Sequence, residues 1–529
     1  MSLHLDFQPL PLLSFGTQIL LLLFCGHAFS IPVERPSGGS VQYPLGTGLR
    51  DGLDARVLIL GAGIAGITAA QKLESYGISD FLIVEAHHEV GGRLKSRPFG
   101  SHDHVHASPS ASSRDGEIIK SIEVGAQWIQ GYHEGNPIWG LAKKHGIKTQ
   151  LSDFAGSVTT YDETGKVDFI PKIRDALGAY TKLVVGAAGE RVLNHRRDMS
   201  ARTGYSIVGS KPRTPQEMAA EYYAFDFEYA QTPEQTSWIA SSWAHNFTFE
   251  AASGGFSKKN HLCVDKRGFK RLVQGEAHQL RYHPNDPNRL RIMLNSTVQI
   301  VRYDSSEVEV QLESGRVLRA EYVIVTFSLG VLQNDEVVFE PRLPAWKVEA
   351  IESMSMGTYT KIYLQFPRKF WFDTQMALYA DVERGRYPVW QSFDHPDFFP
   401  GSGILFVTVT GDFSHRIEYL TDSQVKSEVM TVLRTKMYPH LSPSEIPDPV
   451  DFYFERWWSN PLFRGSYSNW PASFFEEHHE DLVRTIGGRV GFAGEHTSAK
   501  HFGFLHGAYF SGVRAANEIR DLLRGRRGS

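Results

Sequence analysis

"ARVLILGAGIAGITAAQKLESYGISDFLIVEA" runs from Ala55 to Ala86 and reads as strand, turn, helix and strand in that order. Val57–Leu60 is a short apolar run of the kind buried in a parallel sheet. Gly61, Gly63 and Gly66 follow as G-x-G-x-x-G, and Ile67, Ala70 and Leu73 then recur at helical spacing. Phe81–Val84 forms a second strand, which Glu85 closes 19 residues past the third glycine. Glycines let the backbone approach a pyrophosphate, a helix N-terminus favours its negative charge, and the acid accepts hydrogen bonds from a ribose. The order predicts a Rossmann-like dinucleotide site. It leaves nicotinamide and flavin both open.

The continuation narrows the choice. "EAHHEVGGRLKS" (Glu85–Ser96) places Gly91-Gly92-Arg93 just beyond the acid. The glycines permit close backbone approach, and Arg93 can pair with pyrophosphate oxygens. G-x-G-x-x-G, then Glu, then Gly-Gly-Arg resembles the start of the flavin-containing amine oxidase family. "IEVGAQWIQGYHEGNPIWGLAKKHGI" (Ile122–Ile147) resembles that family's second flavin-lining segment and is similar to the secreted polyamine oxidases of plants. "LNSTVQIVRY" (Leu294–Tyr303) and "AEYVIVTFSLGVL" (Ala320–Leu332) resemble the hairpin and strand on the adenine side. "RVGFAGEHTSAKHFGFLHGAYFSGVRAANEI" (Arg489–Ile519) resembles the closing segment.

The resemblance implies an α/β, two-domain flavin amine oxidase fold. A Rossmann-like FAD-binding domain would come from about residues 55–131, 262–342 and 450–525. A substrate domain with a mixed β-sheet flanked by helices would come from 132–261 and 343–449. FAD would be bound non-covalently by Gly61, Gly63, Gly66, Glu85, Gly92 and Arg93, by Gln127 and Trp128, by the backbone of Val298, and by Glu495 near the ribose or pyrophosphate. Trp128 reads as a packing wall rather than a chemical group.

Oxidising an amine to an imine removes a hydride equivalent from the carbon beside nitrogen, and a protonated amine has no lone pair to drive that step. Aromatic walls attract the cation, while dry surroundings disfavour its charge. The family places such walls at Tyr467 in "RGSYSNWP" and Tyr509 in "HGAYFSG". "TYTKIYLQF" (Thr358–Phe366) alternates as a strand. Taken alone, it would send Lys361 to water. The family's lysine at this position holds a water beside the flavin N5. A polyamine tunnel needs spaced acids between apolar walls. In the plant-type enzymes one acid stands where this chain has Gln130, whereas Glu228 occupies the other acid's position, with Asp226 nearby.

Bulk properties agree with an ordinary globular enzyme. The 529 residues are 41% hydrophobic and 22% charged, with a formal charge of −4. No basic run points to nucleic acid or a membrane surface. "QILLLLFCGHAFS" (Gln18–Ser30) reads as the end of a cleaved secretory signal covering residues 1–30, and the sequons at Asn246 and Asn295 agree with export. The two cysteines are Cys25 and Cys263, so signal removal leaves no disulfide, and none lies near Tyr467 to attach a flavin. His102, His104 and His106 sit in a Ser/Pro-rich stretch that reads as a surface loop rather than a metal site. The expected protein is a secreted, monomeric, FAD-dependent oxidase of polyamines. Hydride would pass to flavin N5, the imine would hydrolyse to aldehyde and amine, and O2 would become H2O2. The alternatives are an oxidase of monoamines or amino acids on the same fold, or a catalytically silent flavin-bound amine-binding protein.

Overall fold

A computed structural model describes residues 53–100, 120–187, 191, 194–472 and 476–525. The proposed signal, Cys25 and the His102–His106 stretch lie outside these.

The opening motif folds as its pattern predicts. β1 (Ala55–Leu60), α1 (Ile64–Ser75) and β2 (Phe81–Val84) form a β-α-β unit, with β1 parallel to β2 and Leu58 opposite Leu82. On its other side β1 pairs in parallel with the long strand Val317–Val325, so β1 is buried on both edges and both faces. That long strand forks the sheet. Its first half pairs antiparallel with Val308–Leu312, and its last three residues pair in parallel with Val490–Phe492. The fork carries the hairpin Val298–Tyr303/Val308–Leu312 away from the sheet's centre and leaves Val298 at the carboxyl ends of β1 and β2, where α/β sheets bind ligands. The C-terminal helix Leu505–Gly525 crosses α1 closely, because a Cβ on Gly512 would stand 2.3 Å from the Ala65 carbonyl oxygen.

A second, seven-stranded sheet has the order Asp451–Phe454, Tyr359–Gln365, Ile404–Thr410, Val389–Ser392, Met376–Tyr379, Val158–Asp162 and Gly165–Lys166. Val158–Asp162 runs parallel to Met376–Tyr379 while the remaining pairs are antiparallel, so the sheet is mixed. Tyr359–Gln365 lies inside it, hydrogen-bonded on both sides. Helices Ile170–Thr181, Pro215–Ala224 and Trp238–Phe249 cover one face through a core that includes Tyr180, Tyr222 and Trp238. Thr214 and Glu217 form a reciprocal cap at the start of the second of these.

The helix α2 (Pro137–Lys144) buries Ile138 and Ala142 in the core shared with α1, and Thr149–Leu151 pairs with His261–Cys263. Residues 137–151 therefore pack with the layer that carries α1. Asp451–Phe454 belongs to the second sheet. All described residues fall in one compact unit.

Candidate active site

A cavity of about 660 Å³ runs between the two sheets. At its nucleotide end, Gly61 has φ +117°, and a Cβ there would sit 2.3 Å from Thr326 Oγ1. Gly63 caps α1 without any side-chain cap, and an added Cβ would meet nothing nearer than 4.0 Å. The first turn of α1 thus presents bare backbone N–H groups to the cavity through Gly63, Ile64 and Ala65. Gly92, at φ +57°, and Arg93 complete this wall. Glu85 is buried and accepts from the N–H groups of Ala62 at 2.7 Å and His87 at 2.8 Å. Burial is the main influence on its carboxyl and pushes its pKa up, against the pull of those N–H donors. Val298 and Ser296 close the far side. Bare glycine backbone, an open helix start and an arginine are the donor set a dinucleotide diphosphate requires, so the residues fit FAD. We expect Gly61→Ala to give protein lacking the flavin absorbance of the wild type, because the new methyl strains φ and strikes Thr326.

Gly66 and Glu495 hold other parts of this wall in place. Gly66 does not line the cavity; its missing Cβ lets α1 sit on the Gly61 carbonyl oxygen, which would otherwise lie 2.0 Å away. Glu495 lines the cavity, but its oxygens accept from Arg93 Nη1 at 2.8 Å, from the N–H and hydroxyl of Ser468, and from the Gly503 N–H at 2.7 Å. Its pKa is held down by the Arg93 guanidinium and these donors, although burial, the largest influence, pushes the other way. Glu495 therefore ties Arg93, the strand Tyr467–Asn469 and the turn at Gly503 into one piece. Arg93 Nη1 is fixed by Glu495 and the Ser466 carbonyl.

The other end is aromatic. Phe227 and Tyr359 approach at 5.6 Å between ring centres, Tyr359 and Tyr467 at 6.1 Å, and Trp128 and Phe227 at 6.5 Å. The Tyr467 hydroxyl donates to the Glu228 carbonyl at 2.9 Å, which fixes the ring. Tyr509 is not part of this chamber. It is half-buried against the core beneath α1 and α2. Phe504, just before the helix, lines the cavity instead and stacks on the His506 ring at 5.0 Å. A Cβ on Gly503 would touch the Tyr467 ring at 3.3 Å, so the Gly503–Phe504 turn lies directly on that ring.

Lys361 is 3% exposed and points into the protein rather than at water. Its Nζ donates to the carbonyls of Glu123 and Gly125, both at 2.7 Å, and to Gln127 Oε1 at 2.9 Å. Nζ also lies 5.4 Å from the centre of the Trp128 ring. The three N–H bonds of the ammonium are thus directed at protein acceptors. Burial lowers the Lys361 pKa and raises that of Glu123, and each partly restores the other's charge. Gln127 Nε2 is buried without a partner. Trp128 donates from Nε1 to Ser152 Oγ at 3.1 Å and lines the cavity, as a wall residue would.

Glu228 and Gln130 both line the chamber. Glu228 is half-buried, its buried Oε1 has no hydrogen-bond partner, and desolvation raises its pKa to about 7. Asp226, by contrast, is clamped by the Arg384 guanidinium at 2.7 and 3.0 Å. It anchors the short helix Asp226–Tyr229 and leaves Glu228 as the free acid of the pair. Among the described residues no cluster of His, Cys, Asp and Glu could hold a metal, and Cys263 is a buried free thiol.

A family model for flavin containing amine oxidoreductases matches residues 64–520. The chain belongs to this family. Polyamine oxidase 1 of Zea mays is 35% identical to this amine oxidase over 479 residues, covering 87% of this chain and 89% of its own. Polyamine oxidase 7 of Oryza sativa subsp. japonica is also 35% identical, over 87% and 94% of the two chains. Putrescine oxidase with bound putrescine superposes with a TM-score of 0.65 at 16% identity, covering 88% of this chain and 99% of that one. Cyclohexylamine oxidase from Brevibacterium oxydans superposes at 0.63 and 18%, covering 89% and 100%. The fold is that of the flavin amine oxidases, and the cofactor of this enzyme is FAD.

In an amine oxidase this chamber can hold an ammonium against aromatic faces while its dryness favours the neutral amine. The sequence reading missed Phe504, Tyr359, Phe227 and Glu123. Glu123 carried a signal, a lone acid in the apolar stretch "SIEVGAQW". Phe504→Ala should raise KM for amines by about tenfold through loss of one cation-facing wall, whereas Tyr509→Phe should leave steady-state kinetics unchanged.

Proposed function

We propose that this amine oxidase acts on polyamines, namely spermine, spermidine or their acetylated forms. The observation that carries the reading is Glu228, which lines the aromatic chamber and whose buried Oε1 has no hydrogen-bond partner. A buried unpaired acid is costly unless a cation completes it, and a chain of amines brings a second cation at a distance from the reacting one. The names of the 35%-identical relatives point the same way.

In this reading Tyr467 and Phe504 flank the reacting amine, and their apolar faces favour its deprotonated form. Glu228 receives a second ammonium of the chain. Gln130 offers a neutral hydrogen-bonding group where a second acid would grip a longer polycation. Lys361 Nζ, held on the Glu123–Gln127 turn, places a titratable nitrogen and positive charge at the junction of the chamber and the flavin end. FAD, when bound, supplies the two-electron acceptor and passes electrons to dioxygen. The products are an aldehyde, a shorter amine and hydrogen peroxide. An amino acid substrate is disfavoured, because Arg93 is the arginine among the described lining residues and Glu495 holds it at the nucleotide end.

The test is anaerobic mixing of the yellow holoprotein with spermine, spermidine, their acetylated forms, a monoamine and an amino acid. Rapid bleaching by the polyamines above the others supports the reading; bleaching by the monoamine alone overturns it. Gln130→Glu should lower KM for spermine by roughly tenfold while changing the monoamine little, in line with an added charge partner of about 1.4 kcal/mol.

A further inference from the structure

The two sequons, "NFT" at Asn246 and "NST" at Asn295, stand in very different surroundings. Asn246 lies within the helix Trp238–Phe249. Its Nδ2 donates to the Val184 carbonyl at 2.9 Å, and its Oδ1 is buried. Asn246 itself is half-buried, and Thr248, the hydroxyl residue of its sequon, is fully buried. A glycan on Nδ2, the attachment nitrogen, would have to break the bond to Val184 that ties this helix to residues 182–184. Asn295 is exposed and sits in a tight turn at φ +51°, a conformation asparagine tolerates better than most residues. Its backbone N–H bonds to the His87 carbonyl at 2.9 Å, and the next N–H bonds to the Glu85 carbonyl at 2.9 Å. Those bonds occupy the backbone of the turn and leave the Asn295 side chain facing solvent. The turn also lies at the nucleotide end, away from the aromatic chamber, so a glycan there would not obstruct an incoming amine.

We infer that Asn295 is the N-glycan acceptor of this chain and that Asn246 is not. The proposal rests on export through the secretory pathway, which the N-terminal segment suggests. The experiment separates the two claims. The full chain is expressed in a eukaryotic secretory host, once with its own N-terminus and once with a host leader replacing residues 1–30. Secreted, flavin-containing protein is treated with peptide N-glycosidase in ¹⁸O water and mapped by mass spectrometry. The expected result is labelled conversion to Asp at Asn295 and none at Asn246. One mobility shift should be abolished by Asn295→Gln. Folded secreted protein with unmodified Asn295, or with a glycan at Asn246, overturns the assignment. Secretion only with the host leader overturns the reading of the native N-terminus, while the glycan map from that arm still decides between the two asparagines.

Discussion

Lys361→Met is expected to yield protein that purifies yellow yet turns over at least ~100-fold more slowly with its best amine, the scale associated with losing a group that handles protons in the reaction. The glycine cradle, Arg93 and Glu85 lie elsewhere in the cavity and survive the change, so flavin content should hold. Methionine matches the length of the lysine stem and keeps the strand packed. What disappears is a nitrogen that burial has already drawn down towards the neutral form. The pH profile of kcat should therefore lose one ionisation in the variant. Lys361→Arg should not rescue turnover, because a planar fork cannot reproduce the convergence of one nitrogen on Glu123, Gly125 and Gln127. A purely structural lysine would lower flavin content and Tm together. Full turnover in a yellow Met variant would remove Lys361 from the chemistry.

Much of the nucleotide half was legible because its signals are local. Gly61, Gly63 and the acid at Glu85 declare a strand, a turn and a helix within one short stretch, and the fold needs no distant partner to decide them. The strand holding Lys361 was equally legible as a strand. Its central place was not, because centre or edge depends on pairing with Ile404–Thr410 and Asp451–Phe454, which alternation does not encode. The same limit explains Tyr509. Which face of the C-terminal helix meets the cavity is set by its crossing of α1 at Gly512 and Ala65, so the chamber's second wall comes from Phe504 in the preceding turn. The acids Asp226 and Glu228 read alike as a polar helix face. Arg384, 158 positions away, takes one of them and leaves the other for the cavity. Segment order is equally silent on the packing of α2 with α1 and on the pairing of Asp451–Phe454 in the second sheet.

Glu228→Gln carries the second large expectation. If Glu228 receives the distal ammonium, removing its charge should lower kcat/KM for spermine by roughly 30-fold or more, matching the ~2–5 kcal/mol lost when one partner of an enclosed charge pair is removed. A monoamine with no second cation should change by no more than a few-fold. The pH dependence follows from a pKa of about 7 raised by burial. Below that pH the free enzyme carries a neutral acid and attracts a polyamine poorly, so the wild-type KM for spermine should rise from pH 8 to pH 6 while that of Glu228→Gln stays flat. Stability moves the opposite way. A carboxyl whose pKa is higher folded than unfolded favours folding at low pH, and that contribution is lost as pH rises through about 7. The substrate-free Gln variant should therefore melt higher than wild type at pH 8 and alike at pH 5. Spermine should narrow the gap at pH 8 by stabilising the wild type more. Equal loss of activity towards spermine and the monoamine, with no gain in Tm at pH 8, would mark Glu228 as a structural residue. A half-buried acid that costs stability when charged and repays it only with a cation bound is what distinguishes a recognition site from a packing residue.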